Sequence, residues 1–146
     1  MLKNMEGLFN ICENLNEIKG INNFNTMNVI NMKWMFQECR LLESLDLSNF
    51  NTSNVTDMSY MFSSCQKLKE INGINNFNTI NITNMRWMFQ ECKLLEYLDL
   101  SNFNTFNATD ISYMFNKCQN LKILNISNFN TSNVEDMCFF LVVVII

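Results

Sequence analysis

Histidine is absent from this 146-residue chain, and so is proline. Without histidine there is no Ser-His pair, and general acid–base chemistry lacks its commonest carrier. No glycine-rich phosphate loop exists, since the three glycines lie far apart. Lysine and arginine number 10 against 14 acidic residues, for a net charge of −4. No basic stripe appears, which argues against a nucleic-acid partner. The six cysteines include no Cys-x-x-Cys pair, so zinc would lack its usual ligand spacing. Residues 1–10 lack the apolar core and small-residue cleavage site of a secretory signal. These absences put an interaction or structural protein ahead of an enzyme, and neither a cofactor nor a metal site is expected.

What is present is a phrase of 26 or 27 residues, repeated. The Phe-Asn-Thr marker recurs at Phe24, Phe50, Phe77, Phe103 and Phe129. Self-similarity at this period is the signature of units that each stack on their neighbours. Residues 1–146 are read as a single repeat domain of about five and a half units. Met5-Glu6-Gly7-Leu8-Phe9 already matches Met58-Ser59-Tyr60-Met61-Phe62, so the chain begins inside a repeat and reads as a piece of a longer array. Nearly half of the residues are apolar. One short unit could not shelter so much apolar surface alone, so stacking is required. Twenty-seven asparagines, with many Ile, Lys, Phe and Met, suggest an AT-rich coding sequence.

Within a unit, Leu42, Leu45, Leu47 and Phe50 follow a Leu-x-x-Leu-x-Leu-x-x-Phe pattern. The alternation in Leu45-Asp46-Leu47 predicts a short strand, repeated at Leu98-Asp99-Leu100 and Leu124-Asn125-Ile126. Two units carry an extra glycine, in Ile18-Lys19-Gly20-Ile21 and Ile71-Asn72-Gly73-Ile74, where a bulge is predicted. The two forms alternate, so the larger period is about 53 residues. Met58, Met61, Phe62 and Cys65 fall at i, i+3, i+4 and i+7, which predicts a helix of two or three turns. Thr56 or Asn54 would cap it, and Asp57 would suit its dipole. The expected architecture is α/β: a leucine-rich-repeat-like, right-handed solenoid with one short parallel strand and one short helix per repeat.

At these residues the chain resembles the BspA-like leucine-rich repeat family, especially the variant in surface proteins of mycoplasmas, lactic bacteria and some protists. The Met-x-x-Met-Phe-x-x-Cys-x-x-Leu core recurs from Met32 to Leu42, Met58 to Leu68 and Met85 to Leu95, and from Ile111 to Leu121 with one Ile for Met. The N-terminal copy departs at Leu8, and the C-terminal copy fails after Phe140. The resemblance implies a secreted or surface-anchored, non-enzymatic protein that mediates adhesion or protein binding. It carries over no catalytic residue.

Cys12, Cys39, Cys65, Cys92 and Cys118 occupy one phase, one per repeat. They read as small buried hydrophobes and free thiols. Cys138 lies off that ladder and is expected to be the more reactive thiol. Asparagines also align in two phases, Asn25 through Asn130 and Asn28 through Asn133. Their amides are expected to satisfy turns and to bond the equivalent residue one repeat along. Asn54, Asn81 and Asn107 also head Asn-x-Thr sequons, which a secretory route would glycosylate. Asp57, Asp110 and Asp136 suit helix capping better than calcium.

Candidate binding residues fall on two faces. Trp34, Tyr60, Trp87, Tyr113 and Phe139 share one phase. They either pack under a neighbouring loop or form an exposed stripe for recognition. On the strand side, Asp46, Asn72, Tyr97, Asp99 and Asn125, with Glu43 and Glu96 nearby, make a mildly acidic face suited to a basic or polar partner. The leading expectation is a surface module binding a protein or glycan. The alternative is an intracellular or degenerate repeat fragment with a structural role. Residues 137–146 form an uncharged apolar run, too short for the ~20 residues of a bilayer span. It reads as an atypical terminal unit or out-of-frame ending, as the start of a membrane anchor, or as a strand pairing with another molecule.

Overall fold

The computed structural model describes residues 2–142. The last four residues of the apolar run, 143–146, lie outside the described residues. Short strands β1 (Ser44–Asp46), β2 (Glu70–Asn72), β3 (Tyr97–Asp99) and β4 (Ile123–Asn125) pair in parallel, β1 with β2 and β3 with β4. The register is Leu45 to Ile71 and Leu98 to Leu124. Each strand starts one residue earlier than the alternating pattern suggests. Opposite the strands, Asn4, Asn31, Asp57, Asn84, Asp110 and Asp136 form a row of parallel bridges, each to the next. Equivalent positions of successive repeats therefore touch along two sides of the molecule.

The predicted helix is not formed. Among the described residues the only helical turns are two short 3-10 turns, Ile21–Asn23 and Ile74–Asn76. The reason lies in where the backbone N–H groups go. From Met58 onward, alternate N–H groups leave the coil. Met58 donates to Asn84 O, Tyr60 to Arg86 O, Phe62 to Met88 O and Ser64 to Gln90 O, at 2.7–3.1 Å. The intervening groups close tight turns, Met61 to Met58 O, Ser63 to Tyr60 O and Cys65 to Phe62 O. An α-helix needs every N–H for the carbonyl four residues back, and none is left over. The turns place non-glycine residues at positive φ, including Tyr60 at 60° and Ser64 at 61°. Left-handed backbone costs such residues about 1–2 kcal/mol each. The inter-coil bonds, equivalent from coil to coil, offset that cost.

The apolar phase still points inward. Met58, Met61, Phe62 and Cys65 are fully buried, as are their counterparts Met85, Met88, Phe89 and Cys92. Phe9, Phe36, Phe62, Phe89 and Phe115 stack ring on ring at 5.4–5.7 Å, nearly parallel. Phe140 ends this column edge-on, at 5.1 Å and 89°. A second column is polar. Buried Thr26, Thr52, Thr79 and Thr105 each donate a hydroxyl hydrogen to the next coil, at Asn51, Asn78, Asn104 and Asn130 O. The N–H groups of Asn51, Asn104 and Asn130 return a bond to that hydroxyl.

The extra glycine decides where the sheet breaks. Gly73 sits at φ +82° against the preceding coil; a Cβ there would lie 2.4 Å from Ser48 Cα. β2 keeps its partner β1 behind it, but among the described residues it has no pairing with β3 ahead. A 3-10 turn follows Gly73 where a strand bulge is expected, and the same turn follows Gly20.

Candidate functional site

The predicted aromatic residues come together as one continuous stack. Tyr60 and Trp87 lie 5.6 Å apart at 12°, Trp87 and Tyr113 4.3 Å at 16°, and Tyr113 and Phe139 4.9 Å at 23°. Trp34 joins at 6.3 Å, tilted by 60°, with Lys33 Nζ 4.0 Å from its ring. Positive φ at each of these five residues throws the ring out of the core. Trp34, Tyr60, Trp87 and Tyr113 are half-buried, and Phe139 is exposed. From Tyr60 to Tyr113 the ring faces lie against one another, so the middle of the stripe has its faces covered. Stacked in this way, the rings join one repeat to the next.

The strand-side residues are arranged differently. Tyr97 is exposed, with its hydroxyl 3.5 Å from Asp99 Oδ2. Asp99 accepts the Ser101 N–H at 2.9 Å. That bond, with the Ser101 hydroxyl, holds the carboxyl below its usual value. Asp46 is held down chiefly by the Ser48 hydroxyl at 2.6 Å, and it also accepts Asn22 Nδ2 at 3.0 Å. Both carboxylates stay anionic at neutral pH. Tyr97 and Asp99 border a cleft of about 520 Å³ at the break between β2 and β3. Asp46 does not line it; it sits two coils back, where its bond to Asn22 spans the corresponding break. The cleft also takes in Glu70 and residues 71–75.

All six cysteines are free. Cys39, Cys65, Cys92 and Cys118 are buried, each with its thiol 3.0–3.2 Å from a phenylalanine carbonyl one coil back. Burial pushes Cys39 and Cys118 up to about 12 and raises Cys65 and Cys92 as well. Such thiols are inert as nucleophiles. Cys138 is exposed, yet a hydrogen bond to Asp136 raises its pKa too. Exposure alone therefore does not make it reactive. Asp57, Asp110 and Asp136 each accept the N–H two residues on, at 2.8–2.9 Å. No metal-binding group of His, Cys, Asp and Glu occurs among the described residues.

The asparagine ladder forms with a different acceptor. Asn54, Asn81, Asn107 and Asn133 donate Nδ2 to main-chain carbonyls of the coil behind, at 2.6–2.8 Å, rather than to equivalent side chains. The sequon nitrogens of Asn54, Asn81 and Asn107 are thus engaged. Sequence reasoning misses the threonine column, although its phase is visible in every Phe-Asn-Thr marker. It also misses Glu70 and the cleft, which no local pattern announces. No described helix is long and apolar enough to cross a membrane.

The sequence model of the family described as "Mycoplasma protein of unknown function, DUF285" matches the chain twice, over residues 1–73 and 67–142. No curated protein and no solved structure is matched.

Proposed function

The chain belongs to that Mycoplasma family of unknown function, in two tandem copies, and from that premise we propose a non-enzymatic interaction module displayed at a cell surface, with adhesion or protein binding as its role. In this reading the chain is a right-handed solenoid of the BspA-like, leucine-rich type. Two rows of parallel contacts at the repeat period support the solenoid. The side chains that recur most regularly, phenylalanine, threonine, cysteine and asparagine, are spent on joining one coil to the next. Scaffold residues so committed leave recognition to the residues that vary between coils, as on concave repeat surfaces.

The observation that carries the proposal is the exposed, acidic strand side around Tyr97, next to a cleft where the two family matches overlap. Absence of histidine and of a phosphate loop agrees with a non-catalytic role. Immobilised extracellular-matrix proteins are the test ligands. Binding of one of them should be lost in Tyr97→Ala, whose exposed ring leaves the fold intact, as far-UV circular dichroism would check. Retention of full binding in that variant, or no binding to any matrix protein, would overturn the reading.

A further inference from the structure

We propose that the cleft between β2 and β3 is a seat for a lysine or arginine side chain presented by an extended segment of a partner protein. The inference rests on the interaction-module reading and names the chemistry of its ligand. Three observations converge on it.

The first is the broken sheet. β2 and β3 each have a strand partner on one side, and no pairing joins them to each other among the described residues. Outward-facing strand groups want hydrogen-bonding partners, and an extended peptide laid along the break would supply them.

The second is a difference between the two halves of the chain. At the break before β1, Asn22 Nδ2 reaches Asp46 Oδ2 at 3.0 Å and ties the coils together. Asn75 and Asp99 stand 53 residues further on, yet among the described residues Asp99 bonds Tyr97 and Ser101 and no such bond joins it to Asn75. Tyr97 stands there in place of Ser44 and turns its hydroxyl to Asp99. The second break lacks the side-chain tie that spans the first.

The third is charge. Lys69, on the rim, is compensated by Glu43 at 2.7 Å. The Glu70 side chain, exposed on β2, is in no ion pair or hydrogen bond among the described residues, and Asp99 is held anionic by Ser101. Glu70, Asp99 and the exposed Tyr97 ring thus line one cleft, and the cation in its lining, Lys69, is already engaged by Glu43. A lysine or arginine satisfies both carboxylates through charge-assisted hydrogen bonds and meets the ring face. Anionic and purely apolar ligands satisfy neither.

The test titrates the whole chain with three capped pentapeptides, Thr-Lys-Val-Lys-Thr, Thr-Gln-Val-Gln-Thr and Thr-Glu-Val-Glu-Thr, followed by calorimetry and by amide chemical shifts. The lysine peptide should bind, with shifts confined to residues 69–75 and 95–99. Glu70→Gln, at an exposed position, should weaken it by about tenfold, the scale of one lost charge-assisted bond. Asp46→Asn, at the first break, should leave the affinity unchanged. Equal affinity for the lysine and glutamine peptides, shifts scattered over the surface, or indifference to Glu70→Gln would overturn the proposal. If matrix-protein binding is lost in Tyr97→Ala but unmoved by Glu70→Gln, the cleft assignment falls and the module reading stands.

Discussion

Serine occurs at both Ser63 and Ser64, and the two adjacent residues do opposite things. Ser63 is buried, and its hydroxyl reaches Gln90 in the next coil at 2.7 Å. Ser64 sits at φ 61°, where glycine is the more comfortable residue. Ser64→Gly should therefore change stability by no more than about 0.5 kcal/mol, since relieved strain and added unfolded-state entropy nearly cancel. Ser63→Ala should cost about 1–3 kcal/mol by stranding a buried amide oxygen. Urea unfolding of the two variants side by side would read the contrast. Gly73 is the opposite case. Positive φ and a backbone neighbour 2.4 Å from any Cβ make Gly73→Ala strained whatever the space around it. A loss above about 2 kcal/mol is expected, measured the same way.

Elements here are rows of equivalent residues rather than helices or long strands. Each strand has three residues, too few to stand alone. The phenylalanine and threonine columns carry what the strands cannot. Phe62 has a ring on both faces, from Phe36 and Phe89. Phe62→Ala should cost about 3–5 kcal/mol, as for a large core truncation. Phe129, at the less buried end, should cost clearly less by thermal unfolding. Thr79→Val keeps the shape but removes a hydroxyl that both gives to Asn104 O and receives from Asn104 N–H. A cost of about 1–3 kcal/mol is expected, as a buried donor and acceptor lose their partner.

The molecule as a whole should show its charge balance in its pH dependence. No histidine titrates between pH 5 and 8. Asp46, Asp99, Asp136 and Glu43 have folded pKa values below their ordinary ones. The stability they contribute is present above the ordinary carboxylate range and is lost as pH falls through the folded values, below about pH 4. The buried thiols run the other way. Cys39 and Cys118 are raised to about 12 from 9. Their contribution is complete below pH 9 and disappears between about pH 9 and 12, as thiolates form more readily in the unfolded chain. Melting temperature should form a plateau from about pH 5 to 8.5 with a fall on each side. The alkaline limb should shrink when Cys39, Cys65, Cys92 and Cys118 are replaced by alanine, leaving the part owed to Cys138 and Tyr113, whose pKa values are also raised. A limb of unchanged depth would refute this assignment.

The amino-acid order by itself carries the period, the inward phase of methionine, phenylalanine and cysteine, and the two places where a glycine lengthens the repeat. Burial depends on which residues recur in register, and recurrence is written along one dimension. The conformation between Met58 and Cys65 is not legible in that way. An i, i+3, i+4, i+7 pattern suits a helix and suits equally a run of turns whose spare N–H groups leave sideways. Only the neighbouring coil, by accepting those hydrogens, selects the turns. The same holds for the aromatic stripe and the cleft. Trp87 can be placed in phase with Tyr60 and Tyr113 from the order of residues, but tertiary stacking turns their faces toward one another. Tyr97, Glu70 and Asp99 share a site because β2 and β3 stay unpaired where the chain turns at Gly73, a juxtaposition of segments that no window of sequence contains.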